Sequence, residues 1–94
     1  MLPDITRELD ETKGHYALDT GHGLAELTYS IASPKMIIAD HTDVPEAAKG
    51  RGFGAMLAQR MVEDARTEGV KIIPLCPFVK AERGRHPDRS DVIT

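Results

Sequence analysis

Three glycines, Gly50, Gly52 and Gly54, fall within the stretch Lys49-Gly50-Arg51-Gly52-Phe53-Gly54. The chain then changes period. From Phe53 to Glu68 apolar residues recur at Leu57, Ala58, Met61, Val62 and Ala65, which is one face of a helix, and Gly69 is a natural stop. A glycine-rich turn entering a helix leaves backbone N–H groups unpaired, adds the positive end of the helix dipole, and lets a ligand approach closely. Such a turn suits an anion, above all a phosphate. It also demands a strand before it and a helix after it, which restricts the folds open to the chain.

Upstream, the pattern is that of strands. A weak strand over residues 5–11 carries Ile5 and Leu9, and a turn is expected at Lys13-Gly14. Tyr16 and Leu18 then alternate with polar residues, Thr20-Gly21-His22-Gly23 makes a hairpin turn, and Ala25, Leu27, Tyr29 and Ile31 share one face of the next strand. Ser33-Pro34 breaks that run, and residues 35–44 form another strand. Downstream of the helix, residues 70–76 read as a short buried strand. Residues 77–88 read as a short helix opening on Pro77, where the missing N–H costs nothing. The expected architecture is α+β (mixed α/β): antiparallel N-terminal strands leading into a β-α-β unit whose two strands are parallel. At 94 residues this is one domain over residues 1–94, with about four N-terminal and six C-terminal residues frayed.

Composition narrows the function classes. A net charge of −3 argues against a general nucleic-acid binder. A single cysteine, Cys76, excludes an internal disulfide framework and fits a reducing compartment. No segment reads as a signal peptide or membrane span, so the expected location is the cytoplasm. His15, His22 and His86 are scattered without ligand spacing, and no metal site is expected.

Spacing separates the phosphate cradles. An ATP-type loop needs Lys-Ser or Lys-Thr after its last glycine, and neither is present. The dinucleotide fingerprint is formally matched by Gly50 to Ala55, but no carboxylate follows about 20 residues on to hold a ribose. The coenzyme A pyrophosphate loop of the GNAT acetyltransferases, Q/R-x-x-G-x-G/A, is matched with Lys49 at the first position. The blocks "HTDVP", "GRGFG" and "PLCPFV" extend the match, and residues 14–92 resemble a compact family of GNAT-like, acetyl-CoA-binding proteins. The resemblance implies a minimal GNAT-like fold that holds acetyl-CoA between two splayed parallel strands. It also shows departures: Glu82, Arg83 and Arg89 stand where the family usually carries aromatic or aliphatic residues, and Lys49 replaces an arginine.

Acetyl transfer to an amine requires a held donor, a polarised thioester carbonyl, a neutral amine and a protonated or stabilised leaving thiolate. Holding falls to the backbone of Gly50, Arg51, Gly52, Phe53, Gly54 and Ala55, with Lys49 and Arg51 as phosphate contacts. By resemblance, backbone groups of Asp43 and Val44 serve the pantetheine and the acetyl carbonyl. Cys76, ahead of Pro77 at a helix start, is placed where a thiolate is favoured. It is open to three roles: covalent acyl acceptor, proton donor to the leaving thiolate, or plain pocket or core residue. His41 has the right type for a general base, and strand parity decides whether its ring faces the site. Lys80, Arg83, Arg85 and Arg89, interleaved with Glu82 and Asp88, read as a solvated face.

Two functions follow. The leading one is an acetyl-CoA-dependent N-acetyltransferase, monomeric or weakly dimeric, acting on a small-molecule or protein amine. The alternative is a non-catalytic coenzyme A or acyl-CoA binding protein or sensor working through a partner. A glycine turn with no ligand is the bland third reading.

Overall fold

The computed structural model describes residues 4–94; the expected fraying at Met1–Pro3 lies outside the described residues. Five strands form one sheet in chain order: β1 (Thr6–Leu9), β2 (Lys13–Asp19), β3 (Leu24–Ser33), β4 (Met36–Asp43) and β5 (Lys71–Pro74). The first four pair antiparallel, and β5 pairs parallel to β4 from Met36↔Lys71 to Ala39↔Pro74. Helix α1 (Phe53–Glu68) makes the crossover between β4 and β5, and α2 (Pro77–Arg85) follows β5. The expected mixed α+β architecture is the one observed.

The turn between β1 and β2 falls two residues earlier than its glycine suggests. The carboxylate of Asp10 accepts hydrogen bonds from the backbone N–H groups of Thr12 (2.8 Å) and Lys13 (2.9 Å). Those two bonds hold the Asp10 carboxyl below its usual range. The Asp side chain makes this turn, and Gly14 is already in the strand opposite Leu9.

Alternation along the strands assigns the faces. Tyr16, Leu18, Ala25, Leu27, Tyr29, Ile37, Ala39 and Ile72 point to one side and meet Leu57, Ala58, Met61, Val62 and Ala65 of α1 and Val79 of α2 in a single buried cluster. Both helices therefore cover the same face. Gly69, at φ 71°, stops α1 where the sequence places the stop, with its N–H bonded to the Ala65 carbonyl. At the sheet edge, Tyr16 donates to Asp64 at 2.8 Å, and Arg7 pairs with Glu68 at 2.6 Å. Burial, then the bond to Asp64, pushes the Tyr16 phenol well above its usual pKa, so it remains a donor throughout the physiological range.

The C-terminal end differs most from expectation. The last residues are not frayed: Pro87–Asp91 forms a 3₁₀ turn, and Ile93 is fully buried and bridges in parallel to Ile72. Ile72 N–H donates to Val92 O (2.8 Å) and Thr94 N–H donates back to Ile72 O (2.9 Å), so this segment covers the outer edge of β5. Nor is the preceding charged run uniformly solvated. Glu82 and Arg89, 3% and 6% exposed, lie buried against each other, Arg89 Nη1 standing 3.6 Å from Glu82 Oε2. Two positions that resemblance gives to aromatic side chains are here occupied by opposite charges in contact. Arg83 donates from Nε to Ile93 O at 2.9 Å, tying α2 to the final bridge. Among the described residues no helix is long and apolar enough to cross a membrane.

Candidate functional site

Gly50 and Gly52 both have φ of 82°, the left-handed region in which an L side chain costs roughly 1–2 kcal/mol. A Cβ at either would meet nothing within 4 Å, so these two positions face open space. Gly52 is the residue that caps α1, and no side chain completes the cap. The first helical bond runs from Met56 N–H to Gly52 O at 3.0 Å. The amides of Phe53, Gly54 and Ala55 therefore have no carbonyl partner within the helix. No acidic residue lies in the first turn to compete for them. This is an electropositive backbone surface presented to a cleft.

Gly54 has a different reason to be glycine. A Cβ there would come within 2.8 Å of the Phe78 ring, so the third glycine admits α2 against the start of α1. A cleft of about 360 Å³ opens along the loop, lined by Thr42 and Val44 from the end of β4, by Phe53 and Ala55 from α1, and by Phe78. Lys49 lines it too, with its ammonium 2.9 Å from Glu46, whose hydrogen bond raises the lysine pKa. Arg51 is exposed and joins no ion pair among the described residues.

Beyond the Ala39↔Pro74 pair, β5 leaves β4. Cys76 N–H still reaches Ala39 O at 2.8 Å, after which His41 to Asp43 are paired only with β3. The sheet splays here, as resemblance leads one to expect. A bulge lies at the same point: Tyr29 pairs with Ala39 but Thr28 pairs with His41, leaving Asp40 as the extra residue. The bulge shifts parity. Ile37 and Ala39 face the helices, and His41 and Asp43 would follow them in a regular strand. Instead Thr42 turns inward opposite Leu27, while His41 and Asp43 are exposed on the far face.

Cys76 is 3% exposed and occupies the cap position of α2, directly before Pro77. Its Sγ lies 3.4 Å from Thr42 Oγ1, the one side-chain hydrogen-bond partner it has among the described residues. His41 and Cys76, the two side-chain candidates for chemistry, therefore lie on opposite faces of β4. The loop candidates Lys49, Gly50, Gly52, Phe53, Gly54 and Ala55 do converge on one cleft, together with Val44; Asp43 and Arg51 stand outside its lining. Thr42 and Phe78 belong to the site and are not singled out by the sequence. Thr42 depends on a bulge that leaves no local signal, whereas the pairing of Phe78 with Gly54 has a faint one, an aromatic in the first turn of a helix opened by proline. Among the described residues no three His, Cys, Asp or Glu side chains gather as metal ligands would.

A family model described as GCN5-related N-acetyl-transferase matches residues 15–92. No curated protein matches the chain. Among solved structures, the NMR solution structure of a GCN5-like protein from Staphylococcus aureus, named for a proposed N-acetyltransferase activity, is 32% identical. It superimposes with a TM-score of 0.70 over 95% of this chain and 87% of that one.

Proposed function

Because the chain belongs to the GCN5-related N-acetyltransferase family, we propose that it transfers an acetyl group from acetyl-CoA to an amine, with the glycine loop as the pyrophosphate cradle. The observation that carries this reading is the start of α1: three partnerless amides, two left-handed glycines facing open space, and no capping side chain. That donor set fits an anionic oxygen group such as the pyrophosphate of a coenzyme.

Bound acetyl-CoA supplies an activated thioester. The amides of Phe53, Gly54 and Ala55 hold its pyrophosphate, with Lys49 and Arg51 as outer charges. Val44 and the backbone of Asp43 border the path toward the splay, and Phe78 closes the cleft from the α2 side. His41, exposed at the bulge, takes the proton from the incoming amine. Cys76 sits on the opposite, covered side with Thr42 and returns a proton to the leaving sulfur. The separation of His41 from Cys76 supports direct transfer over an acetyl-cysteine, because Cys76 has no base beside it to make the thiolate.

Calorimetric titration with acetyl-CoA, with NAD as control, tests the cradle. Saturable binding of acetyl-CoA alone is the expected result, and no binding at millimolar concentration overturns the reading. Intact-mass measurement during turnover tests the route, since an adduct of about 42 Da on Cys76 marks covalent acyl transfer and its absence marks direct transfer. His41→Gln is expected to lower kcat by about 100-fold with acetyl-CoA affinity unchanged. Tight binding with no turnover on any amine would make the chain a coenzyme A binding protein instead.

A further inference from the structure

With both helices on one face, the other face of the sheet has no covering element among the described residues. Register defines what it presents. Glu8, His15, Thr28 and His41 stand side by side across β1 to β4, and Ala17, Glu26 and Asp43 form the neighbouring row. At one end of the first row a cleft of about 450 Å³ opens, lined by Glu8, Asp10, Lys13, His15 and Thr28. At the other end His41 stands on the bulge, where β5 has left β4. The row thus runs from a cleft to the proposed site of transfer.

The charge of this face is one-sided. Its strands carry Glu8, Asp19, Glu26, Asp40 and Asp43 against Lys13 and Lys71, and the Lys71 ammonium is engaged by the Asp91 carbonyl. Arg7 turns the other way, to Glu68 on α1, and the remaining arginines lie on the glycine loop, the helices and the segment after α2. The cations Lys49 and Arg51 flank the cradle instead. No tyrosine or phenylalanine ring is available on the open face: Tyr16 and Tyr29 are buried under α1, and Phe53 and Phe78 line the coenzyme cleft. Only the imidazoles of His15 and His41 offer a ring there, so a sugar or a flat amine finds no large aromatic platform to stack on.

We propose that the open face is the acceptor track and that its occupant is a linear polyamine, an aliphatic chain bearing several ammonium groups; this rests on the acetyltransferase reading above. Three strand spacings of about 4.8 Å put Glu8 roughly 14 Å from His41. An extended chain of a dozen or so atoms covers that span at roughly 1.25 Å of advance per bond. The terminal nitrogen lies at His41, inner ammonium groups lie along Glu26 and Asp43, and the distal one enters the cleft at Glu8 and Asp10. In the transfer the nitrogen bonds to the acetyl carbon as the carbon–sulfur bond breaks. The terminal ammonium gives up two protons in all, one to solvent by way of His41 and one to the departing sulfur.

Titration of the ¹⁵N-labelled chain with spermine, without coenzyme, maps the track independently of turnover. Shifts are expected at His15, Thr28 and His41, and they should vanish at high salt. Glu8→Gln and Glu26→Gln should each weaken spermine binding roughly two- to five-fold, raise its KM by the same factor, and leave the KM for acetyl-CoA unchanged. Shifts confined to helix acids such as Glu63 and Glu68, or none at all, overturn the proposal. So does turnover of a neutral-bodied monoamine such as glucosamine that outpaces spermine and ignores salt, although the acetyltransferase reading then survives. Spermine bound on this face by a chain that does not bind acetyl-CoA has the opposite meaning, keeping the site and removing the enzyme.

Discussion

Between Lys49 and Ala55 the chain presents bare backbone to a cleft; between Glu82 and Ile93 it makes a core out of charged and terminal residues. The first region needs almost no side chains, since its two left-handed glycines and three partnerless amides face open space. The second is held largely by side chains, beside the backbone bridge to Ile72. Glu82 is buried against Arg89, Arg89 donates to Gln59 of α1 at 2.7 Å, Arg83 grips the Ile93 carbonyl, and Ile93 fills the core beside β5. A backbone-built site tolerates changes of side-chain type but not of backbone conformation, and a side-chain-built one behaves in the reverse way.

The largest expected effect lies in the second region. Arg89→Met leaves the Glu82 carboxylate buried with Arg85 and His86 at its rim and should cost about 3–5 kcal/mol. The double substitution Glu82→Met/Arg89→Met should recover most of that in urea unfolding. A loss below about 1 kcal/mol for the single variant would break the comparison, since the segment would then not depend on its buried charges. Ile93→Ala should cost about 2–4 kcal/mol as a cavity beside Ile72, a result that fraying would reduce to nothing. In the first region, Gly52→Ala should cost about 1–2 kcal/mol of backbone strain and markedly weaken acetyl-CoA binding. Arg51→Ala, by contrast, should leave stability intact.

The smallest effect is a matter of pH. The hydrogen bond from Arg66 holds the Asp91 carboxyl below its usual range. A depressed folded-state pKa means the pair contributes stability above the ordinary aspartate pKa and loses it as pH falls through the lowered value. Asp91→Asn should therefore lower stability slightly at neutral pH, leave it unchanged below the lowered aspartate pKa, and so flatten the acid limb. Both groups are exposed, so thermal melts across the acid range should show no more than a small difference.

What was legible in the sequence follows the same division. Helix α1 runs from Phe53 to Glu68 as its period requires, because a helix is specified by neighbours three and four residues apart and its stop by a single glycine. The glycine loop was legible for the same reason, being a run of consecutive residues, whereas Thr42 and Phe78 join its cleft from elsewhere in the chain. Features set by distant partners were not. The bulge at Asp40 is defined only against β3, so the sequence leaves the orientation of His41 undecided and gives no sign that Thr42 meets Cys76. The three glycines look equivalent in the sequence, yet Gly54 answers to Phe78, while Gly50 and Gly52 hold left-handed backbone that faces open space. Glu82 and Arg89 read as surface charges because each looks solvated until the other is placed beside it. The turn at Asp10 has a local signal of its own: an Asp two residues before a Thr is as good a turn-maker as the Lys13-Gly14 pair.

The sheet has its strands in the order in which the chain makes them. Three of its four pairings are hairpins between consecutive strands, closed by short loops, and these form on the microsecond scale with little entropy to overcome. The β4-to-β5 pairing must wait for a whole helix, and Tyr16 meets Asp64 across a span of 48 residues. Most strand pairings of a chain wired in this way are local, the arrangement that favours fast folding. The acidic rows on β1 to β4 therefore rest on local pairings alone, whereas the splay beside the glycine loop is set by the one long-range strand pairing.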